Sequence, residues 1–186
     1  MSSFLAGGLR AAFLLAQGRP DGLIRVATGP SAVPRSFAAA LICLPLFAAL
    51  RWMEWKAGAR PPHPEHALVV EFLAYVIGWA GFALISRNLL TAMGRPERWG
   101  LFVTVWNWSN VAQYSMLLLA AVPDLLGAPP LVAETIGLVA LGWALWLEWF
   151  VARLTLSVSA AMALLPVLLD LILGIVLSGL SRSLGG

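Results

Sequence analysis

Residues 67–122 read ALVVEFLAYVIGWAGFALISRNLLTAMGRPERWGLFVTVWNWSNVAQYSMLLLAAV. Two apolar runs, Ala67 to Leu90 and Gly100 to Val122, flank the turn Gly94-Arg95-Pro96-Glu97-Arg98-Trp99. A helix rises about 1.5 Å per residue, so runs of this length match a hydrocarbon core of roughly 30 Å. Lipid offers no water to unpaired backbone groups, which makes each run a helix. The glycine and proline of the turn stop one helix and start the next.

The same pattern extends in both directions. Toward the N-terminus, a span runs from about Ser36 to Leu50, reaching toward Trp55. It contains Pro45 and ends in Arg51-Trp52-Met53-Glu54-Trp55-Lys56, where tryptophans and charges form an interfacial anchor. The turn Arg60-Pro61-Pro62-His63-Pro64-Glu65-His66 follows it. Toward the C-terminus, Pro123-Asp124 and Gly127-Ala128-Pro129-Pro130 make a turn, Leu131 to Val151 spans, and a fifth span covers about Leu156 to Gly179. Ahead of all of these, Phe4, Leu5, Leu9, Ala12, Phe13 and Ala16 share one helical face, which predicts a short helix lying in the membrane interface. The expected fold is therefore an all-α integral membrane protein, with residues 1–34 as a membrane-surface amphipathic segment and residues 35–183 as a bundle of about five transmembrane helices.

Composition agrees with this fold. Of 186 residues, 60% are hydrophobic and 11% charged, against about a quarter charged in soluble domains. The net charge is +3, but the arginines stand singly between apolar runs without interleaved stacking aromatics, so nucleic acid is not an expected partner. They read as topology signals. With the N-terminus inside, eight Lys and Arg residues fall on the cytoplasmic side (Arg10, Arg19, Arg25, Arg35, Arg87, Arg95, Arg98 and Arg153) and four outside (Arg51, Lys56, Arg60 and Arg182). The bias predicts a multi-pass protein of a bacterial inner membrane, N-terminus cytoplasmic and C-terminus outside. Arg10 interrupts the first apolar stretch, which argues against a signal peptide. The single cysteine, Cys43, allows no intrachain disulfide and no cysteine-rich metal site.

Charges inside lipid cost roughly 3 kcal/mol on insertion scales and demand a partner, water or a function. Asp170 is the sharpest case, placed near the middle of the fifth span. Pro166 four residues earlier is expected to kink the helix, and Gly174 and Ser178 continue the same face as a close-packing surface. Asp170 is either an ion-, proton- or ligand-binding carboxylate or one end of a structural interhelical hydrogen bond. Asn107, Asn110 and Gln113, spaced by three, with Tyr114 four residues from Asn110, wind a polar seam along the third span. The seam suits helix-to-helix adhesion or the lining of a polar cavity. Glu148 and Arg153 lie toward the cytoplasmic end of the fourth span, with Arg153 most simply a topology anchor; Glu71 and Glu134 lie near the outer ends of theirs.

Other patterns carry less chemistry. His63-Pro64-Glu65-His66 brings two imidazoles and a carboxylate together, but its prolines prevent a converging helix and no further histidine exists, so no metal site is expected. No phosphate-binding, zinc-protease, hydrolase or dinucleotide motif occurs, and neither a cofactor nor an enzymatic activity is expected. Trp143, Trp146 and Trp149 at three-residue steps form a packing or interfacial stripe.

The layout resembles the Yip family of five-span membrane proteins, whose eukaryotic members interact with Rab-type GTPases. The resemblance rests on an N-terminal surface segment with Gly18-Arg19-Pro20 and on a second span leading into Leu90-Thr91-Ala92-Met93-Gly94-Arg95-Pro96-Glu97-Arg98-Trp99. It continues in Leu141-Gly142-Trp143-Ala144-Leu145-Trp146, the turn Arg153-Leu154-Thr155-Leu156-Ser157 and a last span opening with Ala160-Ala161. It covers residues 35–180 and implies a non-enzymatic scaffold or assembly factor that organises lipid, other membrane proteins or a second copy of itself. Membrane physics supplies the alternative, a small transporter or channel subunit in which Asp170 and the third-span amides line a path.

Overall fold

The computed structural model describes residues 2–185, and among them every regular element is helical. Helix α1 spans Ser2–Ala16, a 3-10 turn Pro20–Arg25, α2 Ala32–Ser36 and α3 Ala38–Glu54; a π-type turn Trp55–Ala59 leads to α4, Pro64–Ala92. A 3-10 turn Pro96–Arg98 leads to α5, Trp99–Leu125; α6 is Pro130–Leu156 and α7 Leu164–Gly185. Four stretches are long and apolar enough to cross a membrane: Ala32–Ala59, Pro64–Ala92, Pro130–Leu156 and Leu164–Gly185. About five spans were expected. Helix α5 matches the others in length, but its amide and hydroxyl side chains lower its apolarity.

Burial explains how α5 tolerates those side chains. Each residue from Phe102 to Asn110 is buried, so this stretch is covered all round. Helices α1, α2, α3 and α6 pack against α5, while α4 packs chiefly on α7 and only lightly on α5. One apolar cluster, built around Phe82, Phe102, Trp106 and Trp108, joins α3, α4, α5 and α6. A second, Ala11, Leu15, Val105, Leu147 and Val151, seals α1 between α5 and α6. The outward faces are the reverse of a soluble protein: Leu84, Leu138, Val139, Ile172 and Ile175 are each at least 59% exposed. Apolar surface this extensive calls for lipid to cover it.

Local chemistry sets the helix ends. Pro64 and Pro130 open α4 and α6 at positions where the missing N–H is not needed. Helix α4 stops at Gly94, whose φ of +71° lets the Arg95 N–H donate back to the Leu90 carbonyl at 2.8 Å. The Trp99 indole Nε1–H then donates to the Ala83 carbonyl at 3.0 Å, which fixes the start of α5 against α4.

The two ends of the chain are held in different ways. The face of α1 that packs inward is Gly8, Ala11, Ala12 and Leu15, whereas Leu9 and Phe13 are 41% and 66% exposed. The small residues win this face because Gly8 lies directly on the Trp108 indole. The last helix begins at Leu164, not near Leu156. Helix α6 runs on through Leu156 and is capped by Ser157 in the left-handed region, φ 52° and ψ 48°, while the Trp149 Nε1–H donates to the Ala160 carbonyl at 2.9 Å and holds the connecting segment. Asp170 therefore sits two turns from the start of α7. Pro166 lies in the first turn of that helix, where no intrahelical N–H is required, and so it starts the helix without kinking it.

Candidate functional site: a cavity floored by Asp170

Because α4 leans on α7 and away from α5, a cavity of about 660 Å³ remains between α3, α4, α5 and α7. Its mouth is charged, with Arg51, Glu54 and Glu71 on one side and Arg182 on the other; its far end is Asp170. Asp170 and Arg182 are twelve positions apart on α7, so the cavity reaches about 18 Å along that helix. Gly174, Leu177 and Ser178 line this stretch. The Gly174 face was expected to pack closely on a neighbouring helix. A Cβ there would meet nothing within 4 Å, because α7 meets α4 through the neighbouring positions Leu173 and Leu177, which lie against Gly81 and Gly78.

The polar seam on α5 divides between two tasks. Asn107 is fully buried and its Nδ2–H donates to the Ser36 Oγ at 2.7 Å, tying α5 to the end of α2; Ser36 in turn donates to the Val33 carbonyl. Gln113 donates through Nε2–H to the Ala144 carbonyl of α6 at 2.9 Å. These two are adhesive. Asn110 donates to the Trp106 carbonyl of its own helix at 2.9 Å and, with Tyr114, lines the cavity. Helical spacing put all of them on α5 without revealing that its neighbours differ from turn to turn.

Glu148 of α6 is 7% exposed and stands behind the floor, beside Asp170 and Gln113. The Trp106 Nε1–H finds no acceptor, although it is buried, and the Trp106 ring shares a small void with Glu148. Arg153 is not part of this group. It is exposed at the end of α6, its guanidinium lying 5.2 Å from the centre of the Trp149 ring, because five residues on a helix place it about 140° round from Glu148.

Several lining residues were not singled out by sequence. Arg51 and Glu54, read as an interfacial anchor, form an ion pair at 2.6 Å at the mouth. Glu71, read as interfacial, reaches the cavity with one carboxyl oxygen buried and unpartnered; its position seven residues inside an apolar helix was the available signal. Tyr75 donates through its hydroxyl to the Ala40 carbonyl at 2.6 Å, linking α4 to α3. Its ring begins an aromatic wall: Tyr75 and Trp79 are 6.0 Å apart, Tyr75 and Tyr114 6.2 Å, and Trp79 and Trp106 5.5 Å. His63 and Glu65 are 71% and 78% exposed and 4.0 Å apart, and among the described residues no group of three or more His, Cys, Asp or Glu side chains is placed to hold a metal ion. Comparison of the chain with protein-family models, curated proteins and solved structures finds no match to any of them.

Proposed function

We propose that α5 crosses the bilayer together with the four apolar stretches, and that the chain is a small transporter or channel subunit handling a cation at Asp170. The single supporting observation is the cavity itself, which joins a charged mouth to a carboxyl group deep among apolar helices. Helix α5, 27 residues long, extends about 40 Å, enough to cross, and its neighbours shield its polar side chains. The Lys and Arg bias supports a bacterial inner-membrane protein with the N-terminus cytoplasmic, in which case the mouth opens outward. A cavity closed at Asp170 needs either a moving helix or a second copy to complete a path, so a homo-oligomer is the expected assembly. No enzymatic step is assigned.

Asp170→Asn tests the proposal. In liposomes carrying the purified protein, cation or proton flux is expected to fall to background while abundance and thermal midpoint hold. Unchanged flux would overturn it.

The Yip-type scaffold remains as a second reading, favoured by the N-terminal segment, where Phe13 and Ile24 stand 66% and 83% exposed. Large apolar side chains so placed suit contact with lipid or a membrane partner. The double variant Phe13→Asp/Ile24→Asp is expected to lose co-purifying membrane proteins while flux persists; unchanged co-purification would remove this reading.

A further inference from the structure

The cavity's lining narrows what it can hold. Its volume of about 660 Å³ is that of a site for an organic molecule. A bare alkali or alkaline-earth ion needs a tight shell of oxygens, and the floor supplies only the Asp170 carboxyl, the Asn110 amide and, behind them, Glu148. One wall of the cavity is aromatic instead. Tyr75, Trp79, Trp106 and Tyr114 all line the same space, linked ring to ring at 5.5–6.2 Å. Aromatic faces attract cations through their quadrupoles, most strongly where water is scarce, and they also cover apolar substituents.

Charge selects the same class. At the mouth, Glu54 pairs with Arg51 at 2.6 Å, and the remaining lining there adds one acid, Glu71, and one base, Arg182, so acidic and basic side chains are equal in number at the entrance. The interior has no basic side chain to set against Asp170 and Glu148 among the lining residues below that entrance. An anion would meet only carboxyls and ring faces there.

We infer that the cavity between α3, α4, α5 and α7 binds an organic ammonium ion carrying apolar substituents, its charge on Asp170 and its substituents against the Tyr75, Trp79, Trp106 and Tyr114 rings. This inference rests on the cation-handling reading above and specifies its substrate class.

Tetrapropylammonium is the probe, titrated into the purified full chain in detergent and followed by calorimetry, with tryptophan fluorescence as a second signal. Saturable binding is expected, weakened about tenfold or more by Asp170→Asn and by Tyr114→Leu, and kept by Tyr114→Phe, which retains the ring. Thermal midpoints identify any variant that fails to fold, and the Tyr114 pair decides the matter if Asp170→Asn is lost. Absence of binding to the parent protein, or equal binding by Tyr114→Leu and Tyr114→Phe, would overturn the inference. Asp170-dependent proton or sodium flux without tetrapropylammonium binding would overturn the ligand class and leave the transport proposal standing. Asp170-dependent binding without any flux would do the reverse.

Discussion

Replacing Gly8 with alanine probes how α1 is held on the bundle. A Cβ at that position would overlap Trp108 Cε2 and Cδ2, where carbon atoms normally rest about 3.5–4.0 Å apart. The indole cannot retreat, since Trp108 is 1% exposed and Phe4 meets it edge-on at 5.7 Å. Overpacking of this kind costs about 1–3 kcal/mol, and an overlap with several ring atoms belongs at the upper end. Alanine returns about 0.8–1.0 kcal/mol of helix propensity relative to glycine. The net loss is about 2 kcal/mol, on the order of 5 °C in midpoint for a chain of this size. Thermal unfolding in detergent, read by tryptophan fluorescence, measures it, and faster tryptic cleavage at the exposed Arg10 reports α1 lifting away. Adding Trp108→Leu makes room, so the double variant should lose less than the sum of the two single losses. A Gly8→Ala protein that melts above the parent, by the propensity gain alone, would refute this account of α1 docking.

Three further perturbations address the frame around the cavity. Tyr75→Phe removes the 2.6 Å bond to the Ala40 carbonyl and should lower stability by about 0.6–1.7 kcal/mol, detected as a lower midpoint with the aromatic wall retained. A double-mutant cycle on Ser36→Ala and Asn107→Ala should give a coupling energy of similar size, because their 2.7 Å bond is the side-chain tie between α2 and α5; strict additivity would show that the bond contributes nothing. Ser157→Gly relieves a non-glycine residue held at φ 52° and should raise the unfolding midpoint by an amount corresponding to about 1 kcal/mol, whereas a lower midpoint would mean that the Ser157 side chain contributes more than its backbone strain costs.

Much of the helical frame is legible in the sequence because its punctuation is local. Gly94-Arg95-Pro96 and Ala128-Pro129-Pro130 end and begin helices through the backbone chemistry of two residue types, and the boundaries of α4, α5 and α6 follow. The seam on α5 is legible for the same reason, since spacing by three or four is a property of one helix. The start of α7 is not. Residues 157–163 are mostly apolar and read as membrane span, and their break depends on a left-handed Ser157 and on Trp149 reaching the Ala160 carbonyl. The cavity is less legible still, because it arises from α4 choosing α7 over α5. That choice depends on Gly78 and Gly81 meeting Leu177 and Leu173 about a hundred residues later. Glu148 and Asp170 carried their own signal as charges within apolar runs, but their meeting across α6 and α7 is a tertiary fact. The inward face of α1 is not legible either, because it is made of small residues and the fit of Gly8 onto the Trp108 indole is a tertiary fact.

Thiol accessibility across the membrane tests the central claim, a water-reachable cavity running from the α3–α4 end down α7 toward Asp170. In a Cys43→Ala background, Ser178→Cys on the cavity wall and Ile172→Cys on the outward face, where Ile172 is 59% exposed, would be treated in oriented vesicles with a charged, membrane-impermeant thiol reagent. Ser178→Cys is expected to react from the side that holds Lys56 and Arg182, and Ile172→Cys to stay unmodified in lipid. Labelling of Ile172→Cys with Ser178→Cys silent, or of Ser178→Cys only from the side of the α6–α7 turn, would contradict the account.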